Sequence, residues 1–297
     1  MNNSNKFTQL NIEFKITNYD KNKYRMFRVS EFQEDEYEYV IKELFKKLPF
    51  HFDNIEYLNK QSRLCSMKLI NTNKKYDPSK IQLVVAYYNE DLRFLDTVKN
   101  KYGLNNILLL SKKHTYHDKY QYIHLPNVGR EGHSIMWYIC ENYDRLPEMI
   151  FFTQGGVLAN QMKFLKFKYV LDNLSNVKDL GIVTVSGHLS YPYIPFDYDF
   201  ILDEWGSTTK ENSNYTKELI PAFVRPFGKW YETYISTDLS KIKELGFSFN
   251  CIFCCSKESI RKYPKSMYEE LLKQLSVGDS VEVAHYVERI FYSLFKN

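Results

Sequence analysis

The residues with the clearest chemical potential lie in a turn-prone loop, Leu125–Gly132, which leads through His133 into a predicted helix. Pro126 disfavours helix at the residue before it, and two glycines allow backbone conformations that other residues avoid. The helix start offers unpaired backbone N–H groups beside the cationic Arg130, an arrangement that binds anions. A phosphate or diphosphate is the ligand that fits best. The alternative is an ordinary loop with an Arg130–Glu131 salt bridge.

Three apolar segments around this loop predict buried strands: Ile81–Tyr88, Asn106–Leu110 and Glu148–Thr153. Segments whose apolar residues have helical spacing lie between these strands, so crossover connections and a parallel sheet are expected. Ligands of such sheets bind beyond the carboxyl ends of the strands. We therefore predict one binding site from the residues at the strand ends and in the loop. These are Tyr87, Tyr88, Asn89, Glu90, Lys112, Asn127, Gly129, Arg130, His133, Gln154 and Gly155.

Composition excludes several classes of protein. The 297 residues carry 40 basic and 36 acidic side chains, interspersed, so no basic tail indicates a nucleic-acid partner. No stretch approaches the roughly 20 apolar residues of a membrane span, and the first residues lack an apolar signal core. Cys251 and Cys254 have the spacing of half a zinc site, but without a second ligand pair buried thiols are the better interpretation. We expect a cytoplasmic protein with reduced thiols.

Residues 1–75 precede the first predicted sheet strand and are expected to form a small N-terminal α+β extension. Ile12–Ile16 and Tyr24–Val29 can pair as a hairpin, and Glu31–Lys47 has helical spacing. The polar segment Asn71–Lys80 is the best linker candidate. Residues 76–297 would then form the main α/β domain.

Several segments resemble known families. Val85–Leu92 resembles the opening strand of GT-A glycosyltransferases, which ends in a Tyr-Asn-Glu-like tripeptide. More narrowly, Leu125–His133, Phe152–Gly155 and Ala284–Phe291 resemble a domain-of-unknown-function family of fungal, algal and large-virus proteins thought to be glycosyltransferase-like. The resemblance implies a GT-A-like (Rossmann-like), mostly parallel sheet flanked by helices over residues 76–297. It also implies transfer of a sugar from a nucleotide-diphospho-sugar to a hydroxyl of a glycan or other acceptor.

The implied reaction gives the predicted residues their roles. The strand-end residues would bind the nucleotide sugar, with Arg130 and the loop 127–133 on its diphosphate. A base must also take the proton of the acceptor hydroxyl. For this base we predict Glu288 and His285, which lie on the last helix away from its apolar stripe of Val283, Val287, Ile290 and Leu294. Glu282, near the start of that helix, is the next candidate. An acceptor or phosphate loop is predicted at Asp203, Trp205, Arg225 and Lys229.

The sequence gives only weak evidence for a metal site. GT-A enzymes usually carry Asp-x-Asp at the third strand end, where this chain has Thr153-Gln154-Gly155. Because an amide replaces carboxylates poorly as a metal ligand, we expect no firm cofactor, although Mn²⁺ or Mg²⁺ is possible. Asp197 and Asp199 form a literal Asp-x-Asp and are weak metal candidates. Two other functions stay open: a non-catalytic nucleotide- or carbohydrate-binding protein, and a nucleotidyl- or phosphotransferase.

Overall fold

The structure, a computed structural model, describes residues 75–113, 117–159, 161–186, 196–203, 219–245 and 247–297. Residues 1–74, and with them almost all of the predicted N-terminal extension, lie outside the described part, as does Trp205. The described residues contain no helix that is both long and apolar enough to cross a membrane.

Six strands of the described chain form one mixed sheet in the order β3-β2-β1-β4-β6-β5. Their bounds are β1 Ile81–Tyr87, β2 Ile107–Ser111, β3 Gln121–His124, β4 Met149–Gln154, β5 Ile182–Ser186 and β6 Ser248–Ser256. The neighbours among β1 to β4 pair in parallel, whereas β6 runs antiparallel to β4 and β5. The expectation of a mostly parallel sheet is therefore confirmed.

Helices flank the sheet, with intervening turns of 3₁₀ helix at Pro78–Lys80, Tyr143–Arg145, Gly155–Ala159 and Leu174–Asn176. The first helices are α1 Phe94–Tyr102, α2 Arg130–Asn142, α3 Gln161–Asp172 and α4 Val177–Leu180. The remaining ones are α5 Phe227–Tyr234, α6 Ser240–Leu245, α7 Lys257–Arg261, α8 Lys265–Leu275 and α9 Glu282–Phe295. This arrangement is the α/β architecture that the alternation of apolar segments predicts.

Burial explains which elements the sequence reveals. β4 is buried along its whole length, so it appears in the sequence as a continuous apolar run. The edge strand β3 has no buried residue and no apolar pattern, and it was not predicted. α9 buries the predicted stripe of Val283, Val287, Ile290 and Leu294. Its Phe291 ring lies 4.7 Å from that of Phe253 in β6.

The direction of β6 decides which residues share an edge. Because β6 is antiparallel, its first residues lie beside the last residues of β5, with Ser248 paired to Ser186. The same edge holds the carboxyl ends of β1, β2 and β4. We call it the carboxyl edge. The cysteines of β6, Cys251, Cys254 and Cys255, are buried free thiols, as expected.

Candidate functional site

The loop before α2 adopts an uncommon backbone conformation. Gly129 and Arg130 both have positive φ angles, 56° and 50°. A Cβ atom on Gly129 would clash with the carbonyl oxygen of Leu275, so a glycine is required there. The Gly129 N–H donates to the carbonyl of Gly278 at 2.7 Å. The left-handed region is unusual for an arginine and indicates a position that its surroundings fix.

Lys112, which directly follows β2, holds this loop in place through hydrogen bonds. Its ammonium group donates to the carbonyl oxygens of Val128 and Arg130. Burial lowers the pKa of Lys112 to about 7, although the nearby Glu131 and Asp279 carboxylates oppose the shift. We expected Lys112 to contact the nucleotide directly. In the structure its ammonium group donates to backbone carbonyls of the loop, so Lys112 stabilises the conformation of the loop.

The charge of Arg130 acts on two other elements. Burial raises the pKa of Asp279, and the charge of Arg130 opposes this rise. The pKa of His285 in α9 falls to about 3, through burial first and then through the charges of Arg289 and Arg130. Arg130 therefore lies where the start of α2, the loop before α9 and α9 itself come together.

His133 does not add a second cation beside Arg130. Its side chain is only 3% exposed. Burial and the charge of Lys112 lower its pKa to about 4, so the imidazole is neutral at physiological pH. A neutral histidine can donate one hydrogen bond but contributes no charge to phosphate binding. Asn127, in the same loop, is half-buried.

Glu288 joins α9 to the carboxyl edge. Its Oε1 accepts from the backbone N–H of Asn250 at 2.5 Å. The carbonyl of Asn250 in turn accepts from Nε2 of Gln154 at 2.7 Å, at the end of β4. Burial raises the pKa of Glu288, whereas the Asn250 N–H, Arg289 and Lys166 favour the charged form. The structure thus brings together two predicted site residues, Glu288 and Gln154, through a residue that the sequence analysis did not single out.

Two lysines of α3 complete this region and were also missed. Lys163 donates to Oε1 of Gln154 at 2.6 Å. Lys166 is 1% exposed and donates to the carbonyl of Phe249 at 3.2 Å. Burial lowers the pKa of Lys166 to about 8, and Glu288 opposes the shift. The available signal was a pair of lysines in a helix whose Phe164 and Phe167 belong to the core.

The end of β1 folds back on itself. Glu90 accepts from the backbone N–H groups of Tyr88, at 2.8 Å, and of Asn89, at 3.1 Å, through Oε2. A Cβ on Gly155 would lie 2.7 Å from the same oxygen, so this glycine lets Glu90 approach β4. The ring of Tyr87 packs edge-on against His117, with 4.7 Å between the centroids. Glu90 therefore closes the turn, and its Oε2 is engaged by the backbone of the turn itself.

Glu282 has a structural environment unlike that of a catalytic base. Its side chain is fully buried. Oε1 accepts from the N–H of Leu202 at 2.8 Å and from the Tyr286 hydroxyl at 2.6 Å. Oε2 accepts from the N–H of Ala222 at 2.8 Å and forms an ion pair with Nε of Arg225 at 2.9 Å. With both oxygens engaged inside the protein, Glu282 is ill-suited to take a proton from a substrate.

The other described residues of the predicted acceptor or phosphate loop form ion pairs within the protein or lie exposed on a helix. Arg225 also pairs with the exposed Asp203 at 3.1 Å. Lys229 is exposed on α5, a helix that buries Phe227 and Trp230 in the core. The aromatic residues Phe227, Trp230 and Tyr231, which follow Arg225 in the sequence, therefore pack in the core. Asp199 is exposed, Asp197 is half-buried, and the described residues contain no group of three candidate metal ligands.

Comparison with known proteins identifies a family and no characterised relative. A family model described as "Protein of unknown function (DUF3431)" matches residues 83–297, from within β1 to the last residue. No curated protein and no solved structure matches the chain.

Proposed function

Because the chain belongs to DUF3431, a family of unknown function, we propose its function from the site: glycosyl transfer from a nucleoside-diphosphate sugar to a hydroxyl acceptor. One observation carries the proposal: Glu288 and Gln154 both hydrogen-bond to the backbone of Asn250. This contact puts a half-buried carboxylate at the sheet edge that also holds the Arg130 loop. The GT-A-like strand end at Tyr88 to Glu90 supports the choice of a sugar nucleotide over other anionic substrates.

The loop before α2 supplies the donor half of the site. Arg130 is a permanent cation whose planar group suits the oxygens of a diphosphate. The adjacent helix start adds backbone N–H groups. Lys112 fixes the carbonyls of Val128 and Arg130 and so keeps the loop in place. Arg130 would stabilise the charge that develops on the leaving diphosphate.

Glu288 supplies the acceptor half. A general base works best when its pKa lies near the operating pH. The raised pKa of Glu288 meets this condition better than that of His285, which is about 3. The carboxylate would take the proton of the acceptor hydroxyl. The oxygen would then bond to the sugar carbon, while the bond from that carbon to the diphosphate breaks.

A binding and turnover screen tests this function. We expect one of UDP, GDP or dTDP to bind in calorimetry, and the matching nucleoside-diphosphate sugar to release its nucleotide when acceptors are supplied. Binding should persist in EDTA, because Gln154 is engaged by Asn250 and Lys163 and the Arg130 loop supplies positive charge. Failure of all nucleotides to bind would refute the proposal. Binding without turnover across the panel would leave a non-catalytic binding protein.

Replacement of Arg130 by alanine should weaken nucleotide binding and leave the fold intact. A hydrogen bond to a charged group contributes about 1.5–3 kcal/mol, so Kd should rise about 10- to 150-fold. Calorimetry and a melting curve measure the two effects. Arg145→Ala, which removes an exposed arginine from a 3₁₀ turn, is the control. An unchanged Kd would exclude the diphosphate role. A large loss of stability would instead favour a structural role for Arg130, such as the salt bridge with Glu131.

A further inference from the structure

β6 departs from a regular strand at the point where it reaches Glu288. Asn250 and Cys251 have φ angles of 74° and 51°, in the left-handed region. The pairing of β6 with β5 also shifts, because Thr184 pairs with Phe253 whereas Ser186 pairs with Ser248. Between these two pairs, β6 therefore has more residues than β5 has. We call residues 249–252 the β6 bulge.

Two successive left-handed residues without a glycine are unfavourable. Asparagine tolerates this conformation better than most side chains, and cysteine has no such tolerance. Such residues persist only where their surroundings fix them, and they cluster at functional sites. Bulges likewise occur beside active sites, where they redirect a chain.

Four elements hold the bulge in place. Lys166 of α3 donates to the carbonyl of Phe249 at 3.2 Å, and Gln154 of β4 donates to that of Asn250 at 2.7 Å. The hydroxyl of Thr184 in β5 donates to the carbonyl of Ile252 at 2.9 Å. Three carbonyls of the bulge are thus tied down, and the N–H of Asn250 is directed to Glu288 of α9.

We propose that the β6 bulge is a positioning device for Glu288, in which Asn250 turns its backbone N–H out of the sheet ladder to fix the carboxylate. Asn250 is then a positioning residue that acts through Glu288, an inference that rests on the proposed function. The hydrogen bond uses Oε1, and we assign Oε2 to the proton of the acceptor. The four contacts explain why a strained backbone is kept at this place.

The contact also sets how readily Glu288 ionises. The N–H of Asn250 favours the carboxylate, against the burial that raises the pKa of Glu288. The other ionisable groups that act on Glu288 come from α2, α3, α9 and β6, and are Glu131, Lys166, Arg289 and Cys251. Loss of the N–H contact should therefore raise the pKa of Glu288 further.

Two substitutions at Asn250 separate backbone geometry from side-chain identity. Asn250→Gly keeps the N–H and accepts a positive φ, so kcat should stay close to that of the unmodified protein. Asn250→Val disfavours the left-handed region and should lower kcat by about 10- to 150-fold, the range of a hydrogen bond to a charged group. The acidic limb of its pH profile should move to higher pH, with KM for the donor unchanged.

A double-mutant cycle then asks whether Asn250 acts through Glu288. In a Glu288→Gln background, Asn250→Val should cause little further loss, because the group it positions has already been disabled. Losses that multiply would show a general structural effect and overturn the proposal. So would an Asn250→Gly protein as impaired as Asn250→Val. If Asn250→Val does not fold, Asn250→Ala replaces it.

A measurement without turnover keeps this inference distinct from the proposed function. NMR of protein labelled with ¹³C at glutamate carboxyl groups gives the pKa of Glu288, with Glu288→Gln to assign the signal. Asn250→Val should raise that pKa, and Asn250→Gly should leave it unchanged. A folded Asn250→Val protein with an unchanged Glu288 pKa would overturn the positioning role, whether or not the protein transfers sugar.

Discussion

Replacement of Glu288 by glutamine is expected to reduce turnover by about 10²- to 10⁴-fold, the usual contribution of a general base, and to spare donor binding. Glutamine keeps an oxygen that can accept from the N–H of Asn250, so the link between α9 and β6 survives. It cannot take a proton from the acceptor. Steady-state kinetics with the donor found in the screen, together with calorimetry of the nucleotide, measure both effects.

The pH profile gives an independent check on Glu288. Turnover needs the carboxylate, so kcat should fall as the pH drops through the pKa of Glu288. Because burial raises that pKa, the fall should begin at a higher pH than for an exposed glutamate. This fall of kcat at low pH should be absent in Glu288→Gln. Glu258→Gln, at a side chain that is 67% exposed, is the matched control. Full turnover in Glu288→Gln would remove Glu288 from the mechanism.

Glu282→Ala, on the same helix, is expected to affect stability instead. Glu282 is fully buried and Arg225 is 33% exposed, and removing the buried carboxylate of such a pair is expected to cost about 3–5 kcal/mol. At the usual 2–4 °C per kcal/mol this is a fall in Tm of about 6–20 °C. The change leaves Arg225 without its buried partner and removes the acceptor of the Leu202 and Ala222 N–H groups. Thermal or urea unfolding measures the loss.

An exposed glutamate on α8 provides the comparison for Glu282. Glu269 forms a pair with Lys265 at 3.7 Å, one helical turn away, and its side chain is 54% exposed. Because exposed pairs contribute little, Glu269→Ala should change stability by no more than about 0.5 kcal/mol. A Glu282→Ala protein with normal Tm but lost turnover would return Glu282 to the candidate bases.

Local sequence patterns were sufficient to predict most of the framework. β1 and β4 are buried on both faces, so each appears as a continuous apolar run. The stripe on α9 follows the helical repeat and packs on the sheet as expected. β3 was missed because, with no buried residue, it carries no apolar signal. Hydrophobic periodicity reports burial, and it fails where an element is exposed.

The candidate site was predictable in place and less so in detail. Parallel strands bring their carboxyl ends to one edge, and this general rule was enough to select Arg130, Gln154 and the end of β1. The rule does not say which groups a side chain meets. Lys112 follows β2 as expected, yet its ammonium group binds loop carbonyls.

Only the tertiary structure separated Glu282 from Glu288. In the sequence they are two acids on one helix, distinguished by little more than their position relative to the apolar stripe. Glu282 binds the backbone of Leu202 and Ala222, whereas Glu288 binds that of Asn250. These partners lie 80, 60 and 38 residues away along the chain. Local periodicity reports which side of a helix is buried, but the bonds of a buried carboxylate depend on distant segments that meet only when the chain folds.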